Sequence, residues 1–128
     1  MTPNSATSIK VNGTTTLKAT YYTVINGTRK SGSDVTTSSS TTWETSSSTN
    51  ATVSKGTVTG KKGKDDGTTT NVAVTITATY SGKSDSVTVG VCDVITYGLD
   101  VTSSTTTAIA VGKTKAFTAK YYTKINGT

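Results

Sequence analysis

Asn71 to Val91 reads NVAVTITATYSGKSDSVTVGV, and its alternation decides the fold class. Val72, Val74, Ile76, Ala78 and Tyr80 are separated by single, mostly polar residues. Successive side chains of a strand point to opposite faces, so a period of two marks a strand with one buried face. Ser81-Gly82-Lys83 supplies turn chemistry, and Val87, Val89 and Val91 then resume the alternation. The segment predicts a β-hairpin with one apolar face. Such a face requires a second layer to cover it.

Working outward, that layer comes from upstream. Ala51, Val53 and Val58 flank Gly56 as two very short strands about a turn, and Trp43 stands alone in STTWETSS. In TTTLKATYYT, Leu17, Ala19 and Tyr21 fall on one strand face, bracketed by Asn12-Gly13 and Asn26-Gly27. Asn-Gly pairs accept the positive backbone angles of tight turns. Ile9 and Val11 form a short strand before them. Arg29 to Ser40, RKSGSDVTTSSS, reads as a long flexible connection, and Gly60 to Thr70 as a polar loop. Composition agrees, with 33 Thr and 16 Ser against one Glu and two Leu. Thr suits a pleated surface and forms helices poorly. The expectation is an all-β chain, a sandwich of about seven short strands. Its core is assigned to Leu17, Ala19, Trp43, Val53, Val58, Val74, Ile76, Ala78, Val87 and Val89. Only 31% of residues are apolar, and each fully buried side chain contributes roughly 1.5–3 kcal/mol. Trp43 and the long hairpin are therefore expected to dominate a thin core.

The chain also repeats itself. YYTVINGT at Tyr21–Thr28 returns as YYTKINGT at Tyr121–Thr128, and Ile9–Thr28 aligns without gaps on Ile109–Thr128 with 11 of 20 positions identical. The period of 100 fits one sandwich domain. The expected division is a domain over 1–93 and a partial second copy over 94–128, opening with a strand that carries Leu99 and Val101. Three origins stay open for that partial copy. It is a piece of a longer array, the start of a longer protein, or a tail that donates strands to a neighbouring subunit.

At these residues a family resemblance emerges. VNGTTTLKAT, then TTWETSSSTNATVSKGTVTG, then VTITATYSGKSDSVTV resembles the bacterial Ig-like domain, group 2, of intimin- and invasin-type surface proteins. The likeness covers most of Ser8 to Val91, and VGKTKAFTAKYY resembles a second start. The loop from Gly60 to Asn71 is longer than the family's usual turn. The resemblance implies an Ig-like sandwich serving as a non-catalytic spacer or adhesive module on a bacterial surface or in a phage virion. It carries over no catalytic or ligand residues.

The residues themselves narrow the chemistry. The chain has no His, so Ser–His and Cys–His nucleophile systems are excluded. Glu44 and the scattered Asp residues show no catalytic pairing. Asp65-Asp66-Gly67 lacks the alternating ligands and closing Glu of a calcium loop, and GTVTGK is too short by one residue for a phosphate loop. No cofactor and no metal are expected. Cys92 is the single cysteine, which rules out an intrachain disulfide and suggests a small core or boundary residue. The net charge of +6 comes from scattered lysines, which more often protect strand edges than bind nucleic acid. No stretch is long and apolar enough to cross a membrane as a helix, and MTPNSATS has no secretory-signal pattern. Adjacent tyrosines point to opposite strand faces, so one of Tyr21 and Tyr22 is expected in the core and the other outside. Tyr22, Arg29 and Lys30 are the candidate surface contacts. The expected partners are other subunits of one assembly, with surface glycans as a further candidate; nucleic acid and membrane insertion are not expected. A virion component and a bacterial adhesin module both fit. A virion protein needs no export signal, which favours the first.

Overall fold

The computed structural model describes residues 2–3, 8–103 and 108–128, and among them there is no helix. The chain begins with β1 (Thr2–Pro3), β2 (Ser8–Lys10) and β3 (Thr14–Lys18). Four two-residue strands follow: β4 (Thr20–Tyr21), β5 (Val24–Ile25), β6 (Thr28–Arg29) and β7 (Ser33–Asp34). Next come β8 (Thr42–Thr45), β9 (Ala51–Ser54) and β10 (Thr57–Gly60). The long hairpin is β11 (Val72–Tyr80) and β12 (Lys83–Cys92), and the chain closes with β13 (Ile95–Ser103) and β14 (Phe117–Ile125).

Two four-stranded sheets carry the first unit, in the orders β1-β3-β10-β9 and β2-β12-β11-β8. Their facing side chains form one core. Leu17, Ala51 and Val58 come from the first sheet, and Ile9, Val74, Ile76, Val89 and Val91 from the second. The molecule is thus an all-β sandwich. In the hairpin, Val72, Val74 and Ile76 lie opposite Val91, Val89 and Val87, so one face of both strands is apolar. Two-residue turns close the hairpins with both central residues at positive φ: Lys55-Gly56 (46° and 85°) and Ser81-Gly82 (50° and 73°). This mirror-image geometry matches the right-handed twist of the flanking strands.

Of the residues assigned to the core, Leu17, Ala19, Val58, Val74, Ile76, Ala78 and Val89 are buried, while Trp43, Val53 and Val87 are half-buried. Trp43 does not sit at the centre. It lies on β8, an edge strand, and bridges the main core to a smaller cluster of Ala19, Val35 and Ala78 with Tyr21 and Tyr80. Its indole N–H donates to the Thr36 carbonyl at 3.0 Å, a partner available only near the periphery. The central packing is aliphatic instead, and Ile9, Val11, Ala51 and Val91 belong to it.

The segment Arg29 to Ser40 is not a featureless connection. Ser33 pairs with Tyr21, and Val35 is buried, with its N–H on the Ala19 carbonyl at 2.9 Å. The Thr36 hydroxyl accepts from the Ala19 N–H at 2.9 Å, and the Thr41 hydroxyl donates to the Val35 carbonyl at 2.6 Å. Short polar side chains here replace the ladder that a longer strand would supply.

β13 and β14 form a separate two-stranded antiparallel sheet. Its end, where Thr102 pairs with Thr118 and Ser103 with Phe117, has the register of β1 on β3, where Thr2 pairs with Lys18 and Pro3 with Leu17. Each position is shifted by the sequence period. The other ends differ. Ile9 and Val11 are buried on the first unit, with Ile9 opposite Val91 in a parallel pairing. Ile109 and Val111 are exposed and outside any strand, because no β12-like strand among the described residues receives them.

Candidate interaction surface

Directly opposed residues of an antiparallel pair share a face. Ile95, Tyr97, Leu99 and Val101 therefore lie with their partners Ile125, Thr123, Tyr121 and Ala119 on one side of the β13–β14 sheet, and Phe117 continues the row. Tyr97, Leu99, Val101, Phe117 and Tyr121 are all exposed. The tyrosine rings of Tyr97 and Tyr121 stack at 6.0 Å and 14°. Across the repeat, Phe117 matches Leu17. Leu17 is 1% exposed beneath the second sheet, and Phe117 is 65% exposed. The same alternation is a core face in one unit and an open apolar face in the other.

The two units join at Asp93, which is 1% exposed. One carboxylate oxygen accepts from the Gly63 N–H at 3.2 Å and the Asn126 side-chain amide at 2.9 Å; the other accepts from the Asp65 N–H. Asn126 also accepts from the Val94 N–H at 2.9 Å and donates its own N–H to the Val94 carbonyl at 2.7 Å. A buried charge is tolerated when donors surround it. Asn126, with the Asp65 and Gly63 amides, holds the carboxyl below its ordinary value against the opposing effect of burial. Asp93 thus ties the loop after β10 to the turn of the second octapeptide. Sequence reading treated that Asn only as a turn residue and did not single out Asp93. The legible signal was an acid set directly between two apolar strand segments, GVC-D-VI. Nearby, Asp66 is occupied with a local turn, accepting from the Thr68 N–H at 3.0 Å and the Thr68 hydroxyl at 2.6 Å.

The candidate contacts Tyr22, Arg29 and Lys30 are exposed. The structure brings the first two together, with the Arg29 guanidinium carbon 3.7 Å from the Tyr22 ring centroid. The Lys30 backbone N–H closes the same turn on the Thr23 carbonyl at 2.8 Å. Tyr21 is half-buried and meets Tyr80 edge-on at 5.1 Å. A groove of about 740 Å³ runs along these tyrosines, between the octapeptide and the β11–β12 turn, with Lys83 and Asp85 at its rim.

Among the described residues no group of three or more His, Cys, Asp or Glu side chains converges as a metal site would require, and no helix is long and apolar enough to cross a membrane. Comparison of the chain with protein-family models, curated proteins and solved structures finds no match to any of them.

Proposed function

We propose that the chain is a non-catalytic Ig-like module of a tandem array that works by joining β-layers on an exterior surface, as a structural or adhesive component of a phage virion. One observation carries this reading. The strand face that is core in the first unit, at Leu17 and Ala19, is open in the second at Phe117 and Ala119. An apolar face of this kind is a site for another β-layer. The octapeptide repeat and the shared register of β1–β3 and β13–β14 support the tandem reading. A repeat module of a bacterial surface adhesin would use the same face, and an export signal encoded upstream distinguishes the two settings.

Sedimentation over a range of concentrations, together with an apolar fluorescent dye, tests the joining role. The wild-type chain should self-associate or bind the dye, and a Leu99→Lys, Tyr121→Lys double variant should do neither. A wild-type chain that stays monomeric at millimolar concentration and leaves the dye dark refutes it. Antibody labelling of assembled particles and cell envelopes tests the location; label confined to the cell interior refutes the exterior setting. The tyrosine-lined groove favours glycan recognition as a second reading, since sugars pack on aromatic rings. Loss of glycan-array binding in Tyr22→Ala would support it, and no binding by the wild type would remove it.

A further inference from the structure

The repeated octapeptide occupies two different environments. In the second unit its first five residues, Tyr121 to Ile125, lie within β14, an unbroken strand of nine residues paired along its whole length with β13. In the first unit the corresponding stretch breaks into β3, β4 and β5. The two stretches differ in the neighbour on one edge. The Leu17 N–H donates to Gly56 and the Ala19 carbonyl accepts from Val35, so the odd-numbered positions bond toward the β10 and β7 side. By alternation, the N–H and C=O groups of Lys18, Thr20 and Tyr22 face the opposite edge. Thr2 meets Lys18 on that edge. Beyond it, no described strand lies along Thr20 to Ile25 where Ile95 to Asp100 lies along Lys120 to Ile125.

The side chains at the tip show the same contrast. Asn26-Gly27 and Asn126-Gly127 make the same turn, with φ of 51° and 77° against 53° and 88°. Asn126 is clasped by Asp93 and Val94, whereas the Asn26 carboxamide makes no hydrogen bond among the described residues. Ile125 is half-buried, and Ile25 is 53% exposed beside Val24 at 58%. Tyr122 lies across Gly98, where an added Cβ would meet its ring at 2.2 Å. Its counterpart Tyr22 is exposed.

We infer that the edge from Thr20 to Asn26 is the docking site for the linker strand of a preceding unit: an alternating apolar segment led by an aspartate, with glycine opposite Tyr22. This deepens the tandem reading above and rests on it. The strand adds by main-chain pairing, and its aspartate clasps Asn26 as Asp93 clasps Asn126. A second copy of this chain does not offer such a strand, because its own β13 is paired along its length and its Asp93 already accepts three hydrogen bonds.

A synthetic peptide of residues 92–101 with Cys92→Ser, which stops short of the positions that β1 already occupies, is added to the full chain and tests the site by residue-resolved hydrogen exchange. At saturating peptide the amides of Thr20 and Tyr22 should exchange about tenfold more slowly or less still. Asn26→Gly keeps the turn, since glycine accepts both angles, and should weaken this protection at least several-fold. A peptide with Gly98→Val should give none. Unchanged exchange at Thr20 and Tyr22, protection confined to Phe117–Ile125, or protection indifferent to both substitutions overturns the inference. Concentration-dependent dimers abolished by Asn26→Gly would assign the edge to a second copy and overturn the preceding-unit assignment. The peptide reads the Thr20–Ile25 edge, while the dye and sedimentation read the Leu99 face, so either proposal can fail alone.

Discussion

Asp93→Asn is nearly isosteric, yet the clasp argues that it is costly. All three partners of the carboxylate are donors: the Gly63 and Asp65 backbone N–H groups and the Asn126 amide. A carboxamide has one oxygen, so its NH₂ must face at least one of these donors. The variant then loses one or two charge-assisted hydrogen bonds and leaves a buried N–H unpaired. Hydrogen bonds to a charged acceptor contribute roughly 1.5–3 kcal/mol each, which gives an expected loss of about 3 kcal/mol. With a urea slope of about 2 kcal/mol per molar for a chain this size, the midpoint should fall by roughly 1.5 M. Trp43 fluorescence reads the transition, because the indole bridges both clusters of the first unit. The pH dependence carries a sign. Asp93 is held below its ordinary value of 3.8 in the folded state, so the unfolded chain takes up the proton first as pH falls. The contribution of the charge is therefore complete above that value and disappears as pH drops through the lower folded value. Wild type and variant should differ fully at pH 7 and converge only below 3.8. A variant within about 0.5 kcal/mol of wild type at pH 7, or a gap unchanged in acid, would refute the clasp.

Gly63→Ala should weaken the same joint from the other side. Its Cβ would lie 2.5 Å from the Asp93 carboxylate oxygen, and calorimetry should show a loss of about 1–3 kcal/mol. Ile76→Ala opens a cavity at a fully buried position and should cost about 2–5 kcal/mol in urea unfolding, whereas Val24→Ala, exposed on the octapeptide, should change stability by less than about 0.5 kcal/mol. Lys55 holds φ of 46° in a hairpin turn, so Lys55→Asn should raise thermal stability by about 0.5 kcal/mol, since Asn enters the left-handed region at lower cost than Lys.

What the sequence disclosed follows the range of the forces involved. The β11–β12 hairpin was legible because alternation and a Ser-Gly turn are local properties, and its register followed from the turn. Val35 was not, because it is one apolar residue among Ser, Thr and Asp, and its burial depends on Ala19 and Ala78 across the chain. Trp43 was over-weighted for a related reason. Size and apolarity suggested a central indole, but its N–H needs an acceptor, and the Thr36 carbonyl that provides one lies at the margin. The Asp93 clasp was hidden as well, since its partners lie 28 to 33 positions away.

The octapeptide sharpens the point, because local sequence is nearly constant while its surroundings change. The two copies differ only at Val24 and Lys124, and both place Asn and Gly in the same left-handed turn. The turn is therefore encoded locally. The strand leading into it is not. It runs unbroken from Phe117 to Ile125 beside β13 and breaks after Lys18 and again after Tyr21 where no such neighbour lies. Backbone groups on a strand edge need partners, and extended geometry persists where a second strand supplies them. The Val/Lys difference does not account for the second break, after Tyr21, since both side chains are exposed. The first break, at Ala19, lies upstream of the octapeptide, between Lys18 and Thr20 where the other copy has Thr118 and Lys120. Strand length thus goes with the neighbour: nine residues where β13 lies alongside, and two-residue pieces where no counterpart of β13 lies among the described residues.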